Sequence, residues 1–164
     1  MQIAKATSVL VNRGEVLSPH LLRATIDNGD SFDHQTMSEV DSRPPITGVQ
    51  ERYWDIALEG MRRVNHGVKG TARRSFTNMS FQSGGKSGTA QVFSLAEDEE
   101  YNAEELAEHL KDHALFTGFA PFENPEVVVT VVLENAGGGS SNGAPVARQL
   151  FDLALAEKEG SEEE

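Results

Sequence analysis

Lys86-Ser87-Gly88-Thr89 is the string in this 164-residue chain whose residue types and order could do chemistry together. A lysine at the start of a strand, aimed into a cleft, supplies a fixed cation for a substrate carboxylate and for proton handling around a serine. Ser87 and Thr89 alternate with Lys86 and Gly88, so a strand puts both hydroxyls on the face opposite the lysine, or near it where the edge twists. Gly88 removes a side chain where a ligand backbone must come close. An edge strand can also pair with an extended peptide, leaving its side chains free to select it. At average composition, a Lys-Ser/Thr-Gly-Thr string arises by chance in a chain this long about half a per cent of the time.

Other residues imitate sites. Gly85-Lys86-Ser87 has the end of a phosphate loop, but that pattern needs a glycine at position 80, which is Ser80, and a helix afterwards. His109 and His113 stand four apart like a metal pair, yet Leu110-Lys111-Asp112 between them holds no catalytic glutamate and no third ligand is evident. We read them as surface and packing histidines. A Ser87–His113–Asp112 triad is conceivable, but adjacent Asp and His rarely orient each other as a triad requires. Tyr53 and Trp54 read as core rather than as a ligand platform.

The elements around the box follow from periodicity. Gln2 to Asn12 sets Ile3, Ala6, Val9 and Leu10 on one helical face, with Gly14 as its stop. Residues 15–49 are broken by Pro19, Gly29, Pro44, Pro45 and Gly48 and read as loop with short strands. Gln50 to His66 predicts a helix burying Trp54, Ala57, Leu58, Met61 and Val64. Extended segments follow at 86–94, 115–120 and 126–134, with a polar, partly helical excursion at 103–111 before the second. The β-branched run 126–134 reads as a strand covered on both faces. The connection from Pro121 to Pro125 suits a hairpin. Residues 137–143 read as a mobile glycine-rich loop, with a flap over the cleft as the functional alternative. A last helix has Pro145 at its first turn and a buried stripe of Val146, Leu150, Leu153 and Ala154. The order indicates an α+β domain, an antiparallel sheet flanked by helices.

Composition excludes several classes. The formal net charge of −12 opposes nucleic-acid binding, which needs clustered cations. Much of the acid lies in Glu97–Glu105 and in residues 157–164, both read as solvated. With no cysteine there is no disulfide, zinc knuckle or thiol nucleophile. No metal or cofactor is implied. No stretch reaches the roughly 18 apolar residues of a membrane span, and no signal-peptide pattern opens the chain, which therefore reads as soluble.

The neighbourhood of the box is specific. Gly70-Thr71-Ala72-Arg73-Arg74, Gly85-Lys86-Ser87-Gly88-Thr89-Ala90-Gln91-Val92-Phe93, Tyr101-Asn102-Ala103, Asp112-His113-Ala114, Phe119-Ala120-Pro121 and Pro145-Val146-Ala147-Arg148-Gln149 resemble the class B penicillin-binding proteins. The likeness is greatest to those of the rod-elongation machinery of Gram-negative rods, and it runs up to the acidic tail. It implies an α+β transpeptidase domain in which three motifs meet: Ser-x-x-Lys with the acylated serine, Ser-x-Asn, and the lysine box. Lys86 and the hydroxyls of Ser87 and Thr89 would then bind the carboxylate of a peptidoglycan stem peptide or a β-lactam. Gly88 would admit the ligand, and the Thr89 N–H would be one of two oxyanion donors. Removing such a donor typically costs ~2.7–4 kcal/mol of transition-state stabilisation.

The resemblance also implies a division of the chain. Residues 1–156 would be the C-terminal part of a transpeptidase domain whose N-terminal strands lie outside it, and 157–164 a disordered acidic tail. Ser83-Gly84-Gly85-Lys86 and Ser140-Ser141-Asn142 match the two missing motifs by string alone. The first lacks the helical turn that aligns Ser with Lys. The second follows the box instead of preceding it. The serine nucleophile and its lysine are therefore expected outside this chain, leaving Lys86 and Thr89 as supporting groups and the chain by itself inactive. The parent would be a single-span protein of the inner membrane with its catalytic domain in the periplasm, partnered by the elongation glycosyltransferase and scaffold proteins. With strands missing, residues 126–134 would expose an edge and favour self-association. The alternatives are a non-catalytic peptide- or partner-binding module using the same strand edge, and a β-lactamase relative.

Overall fold

The computed structural model describes residues 1–19, 43–92 and 110–161, the side chains of 157–161 excepted. The residues 93–94 expected to end the first strand, most of the 103–111 excursion, His109, the acidic run 97–105 and residues 162–164 lie outside these.

Helix α1, Gln2–Val11, holds no glycine or proline and stops where Arg13 and Gly14 take positive φ, 52° and 99°. Gly14 suits that turn because a Cβ would sit 2.8 Å from the Ile46 carbonyl oxygen. Helix α2, Glu51–His66, is tied to α1 by Arg13, which reaches Glu51 at 2.6 Å and Asp55 at 2.7 Å. The first half of α2 is open: Tyr53 is 51% exposed and not core, with Arg52 over its ring at 4.9 Å. Trp54 is half-buried. Burial concentrates further along, at Leu58 and Asn65, and α2 meets β1 where Met61 and Asn65 face Gly84 and Gly85.

Three strands follow: β1, Gly84–Ala90; β2, His113–Ala120; and β3, Val127–Leu133. They form an antiparallel sheet in the order β1-β2-β3, and β2 and β3 make the expected hairpin. β1 begins two residues before the expected start. Gly84 and Gly85 belong to the ladder opposite Phe119 and Gly118, and the rings of Phe119 and Phe116 occupy the space their side chains would need.

β3 corrects a second expectation, since its second face is covered only in part. Val127, Val129, Val131 and Leu133 pack into the core, whereas Val132 on the other face is 54% exposed. The cover there is α1, whose ten residues span about 15 Å against about 23 Å for a seven-residue strand. α1 is anchored at mid-sheet, where the Thr7 hydroxyl lies 2.8 Å from that of Thr117, itself 2.8 Å from that of Thr130.

The glycine-rich segment is not a free loop. The Gly137 N–H donates to the Asp112 carbonyl at 2.7 Å, and residues Gly139–Gly143 form a single π-helical turn that runs into α3, Ala144–Ser161. Gly139 is buried against the sheet, where a Cβ would overlap the carbonyl oxygens of Gly88 and Leu115. The buried stripe of α3 is Ala144, Ala147 and Phe151, while Leu150 and Leu153, expected inside, are 41% and 60% exposed. Small residues win because the helix must approach the sheet closely. Phe151 then meets Phe76 at 6.3 Å between ring centres, and Phe76 stacks on Phe116 at 5.6 Å. Each of these buried rings contributes roughly 1.5–3 kcal/mol.

Candidate functional site

The box lies on β1, an edge of the sheet. Lys86 pairs with Thr117, Ser87 with Phe116, Gly88 with Leu115 and Thr89 with Ala114. Directly opposed residues share a face, so Ser87 and Thr89 stand on the face of Phe116 and Ala114 and Lys86 on the other, as alternation requires. Lys86 and Thr89 are exposed, and Ser87 is half-buried. The Lys86 ammonium donates to the Ser87 carbonyl and carries no side-chain partner among the described residues. The Ser87 hydroxyl lies 3.4 Å from that of Thr71. Beneath Gly88 runs the backbone of Gly139. Among the described residues β1 is paired on one edge only, so its other edge offers backbone donors and acceptors to an extended ligand.

A cleft of about 710 Å³ opens beside Thr71, between Arg74, Ser140, Ser141 and Arg148; none of residues 86–89 lines it. Arg148 is committed to structure, bonding Asp152 at 2.7 Å and the Thr77 carbonyl at 3.3 Å.

The start of β1 is held by a network that sequence reasoning missed. Ser83 is fully buried, and its N–H donates to His66 Nε2 at 2.9 Å. Its hydroxyl accepts from Asn65 Nδ2 at 3.0 Å and lies 3.2 Å from His66 Nε2. Burial pushes the His66 imidazolium pKa below the usual value, and the nearby charges of Arg62 and Arg148 push the same way. A neutral ring that accepts at Nε2 carries its proton on Nδ1. The only signal in the sequence was a serine before two glycines, which matched a nucleophile motif instead.

The rejected strings fail in space as well. Ser83 is locked to Asn65 and His66, and Gly84 to Lys86 are in a strand, so no helical turn aligns Ser83 with Lys86. The same strand removes the phosphate-loop reading. Ser141 bonds the Gly138 carbonyl at 3.0 Å and Asn142 that of Ala136 at 2.7 Å, so both side chains serve their own turn. His113 pairs with Ala90, three positions and roughly 10 Å along β1 from Ser87 and on the opposite face. Its Nδ1 accepts from the Asn135 N–H at 2.9 Å, and no triad assembles. Among the described residues no group of three or more His, Cys, Asp or Glu could hold a metal.

A family model, "Penicillin binding protein transpeptidase domain", matches residues 1–152. The chain belongs to the penicillin-binding protein transpeptidase family. Peptidoglycan D,D-transpeptidase MrdA of Haemophilus influenzae is 46% identical over 155 residues, 94% of this chain and 23% of that protein. The Escherichia coli K12 protein of the same name is 41% identical over 152 residues, 93% of this chain and 23% of that one. The chain thus spans about a quarter of the length of these curated relatives. A Pseudomonas aeruginosa penicillin-binding protein 2, solved in complex with WCK 5153, superposes with a TM-score of 0.71 at 38% identity, over 94% of this chain and 30% of that one. A complex of penicillin-binding protein 2 and MreC from Helicobacter pylori shares the fold, with a TM-score of 0.67 at 23% identity, over 94% and 25%. The sheet and helices described above are therefore part of a penicillin-binding transpeptidase fold. Among the described residues no helix is long and apolar enough to cross a membrane.

Proposed function

We propose that this chain is the C-terminal part of the transpeptidase domain, residues 1–156, of a penicillin-binding protein 2 that cross-links peptidoglycan stem peptides through an acyl-serine intermediate. In this reading Lys86, Ser87 and Thr89 hold the carboxylate of the stem peptide or of a β-lactam. Gly88 lets the ligand backbone approach, and the Thr89 N–H supplies half of the oxyanion hole. The nucleophilic serine, its lysine and the Ser-x-Asn motif come from sequence outside residues 1–164. No cofactor takes part.

The observation that carries the reading is the box on a strand that, among the described residues, is paired on one edge only, inside a fold matched to the transpeptidase family along residues 1–152. Such an edge lets a peptide add as a strand, with the Lys86 ammonium reaching its terminal carboxylate from one face of β1 and the Thr89 hydroxyl from the other. The parent protein would work on the periplasmic face of the bacterial inner membrane. Its partners would be the elongation glycosyltransferase and a scaffold protein, as the Helicobacter pylori relative is seen with MreC.

Incubation with a fluorescent penicillin followed by a denaturing gel tests this reading. The 164-residue chain is expected to give no covalent band, and a longer protein that includes this chain a band that unlabelled penicillin abolishes. A band on the 164-residue chain would place the nucleophile inside it. No band on the longer protein would remove the transpeptidase reading.

A further inference from the structure

β1 has a neighbour on one edge only among the described residues, yet it must present Lys86 and Thr89 at a fixed height. Close packing of Gly84 and Gly85 under Phe119 and Phe116 sets its distance from the sheet but offers no directional bond. The ladder to β2 bonds β1 along one edge, and further directional bonds sit one residue earlier. Ser83 is fully buried and held at both of its polar ends, the N–H by His66 Nε2 at 2.9 Å and the hydroxyl by Asn65 Nδ2 at 3.0 Å. Asn65 and His66 are the last two residues of α2, and Asn65 is fully buried as well. The chain therefore enters β1 from a clamp fixed to the end of a 16-residue helix.

We infer that His66 is a positioning residue for the Lys86–Thr89 box, holding β1 through the Ser83 N–H in its neutral, Nδ1-protonated form. Its importance for carboxylate binding rests on the transpeptidase reading above; the clamp itself does not. Protonation would set an N–H against the Ser83 N–H, donor facing donor, and the bond would be lost. The surroundings resist that event. Arg62 on α2 and Arg148 on α3 are the cations that lower the His66 pKa, behind burial itself, and the Phe76 ring sits edge-on at 6.3 Å. Their carboxylate partners, Glu59 and Asp152, are bound to those arginines at 2.6 Å and 2.7 Å. The clamp differs from the bond that His113 makes to the Asn135 N–H at the far end of the sheet, opposite Ala90.

The test is a pH titration of the 164-residue chain by ¹⁵N NMR, wild type against His66→Gln. Glutamine can offer an oxygen acceptor to Ser83 and does not titrate. In the wild type the His66 ring at pH 7.5 should show Nδ1 protonated and Nε2 bare. The amides of Ser83 and of residues 86–89 should then move together on acidification, with one midpoint below 6.5. In His66→Gln those shifts should vanish. An Nε2-protonated ring in the wild type overturns the proposal without need of a variant, so a misfolded His66→Gln leaves it testable. So does a Ser83 shift that residues 86–89 do not share, or a box shift that persists in His66→Gln.

A second arm reads the penicillin acylation rate of the longer protein against pH. The wild type should lose rate at the same acid midpoint and His66→Gln should not; identical acid limbs in both would overturn the positioning role. If the longer protein is acylated at no pH, the transpeptidase reading fails, and the NMR arm still decides the clamp.

Discussion

The Phe116 ring on β2 lies in the space that a side chain at Gly85 on β1 would need. A Cβ at Gly85 would overlap that ring at Cζ and sit 2.8 Å from Asn65 Oδ1. The box begins at the next residue, so its height over the sheet is set by an absent side chain. Gly85→Ala should therefore cost about 1–3 kcal/mol through overpacking. A urea unfolding curve checks this, with the midpoint expected to fall at unchanged slope. An unshifted midpoint would mean that β1 is free to lift.

On α3 the burial pattern inverts the hydrophobic pattern of the sequence. Phe151 is fully buried and Leu153 is 60% exposed. Phe151→Ala should cost about 3–5 kcal/mol and Leu153→Ala no more than about 0.5 kcal/mol in the same assay. The reverse order would restore the stripe that periodicity alone suggests.

These two cases show which parts of the molecule could be read from residue types. β2 and β3 were legible because Phe116, Thr117 and the β-branched run from Val127 to Val132 favour a pleated surface, with proline on either side of their connection. The box was legible because its chemistry is contiguous. The start of β1 was not, since Gly84 and Gly85 favour strand only through the Phe116 and Phe119 rings, more than thirty residues away. The α3 stripe was misread because Ala144 and Ala147 contribute closeness rather than bulk, and closeness depends on the partner surface. The His66–Ser83 clamp joins residues 17 apart through a backbone N–H, which no side-chain pattern announces. Residues 137–143 looked mobile because glycine permits disorder, but glycine also permits the contact of Gly139 with the backbone of Gly88.

Stability should depend on pH through His66. Its pKa lies below the unfolded value of 6.5, so the unfolded chain binds a proton more readily. The contribution is then fully present above about pH 6.5 and declines as pH falls towards the folded value. Thermal melts should show the wild type losing Tm over that window and His66→Gln losing less. Parallel curves would assign the loss to other groups.

Val132 is 54% exposed on β3, which among the described residues is paired only with β2. An open apolar edge strand favours strand-to-strand association. Light scattering on the 164-residue chain should show mass rising with concentration, and Val132→Lys should suppress the rise. A monomer at all concentrations would count against an available edge.

Lys86 is proposed to hold a ligand carboxylate from the edge strand. The decisive measurement is the second-order rate of penicillin acylation of the longer protein, wild type against Lys86→Ala. A charged hydrogen bond contributes about 1.5–3 kcal/mol, so the rate should fall roughly 10- to 100-fold. The NMR shifts of Ser83 should stay unchanged, because Lys86 has no part in the clamp. An unchanged acylation rate in a folded Lys86→Ala protein would mean that Lys86 does not hold the carboxylate.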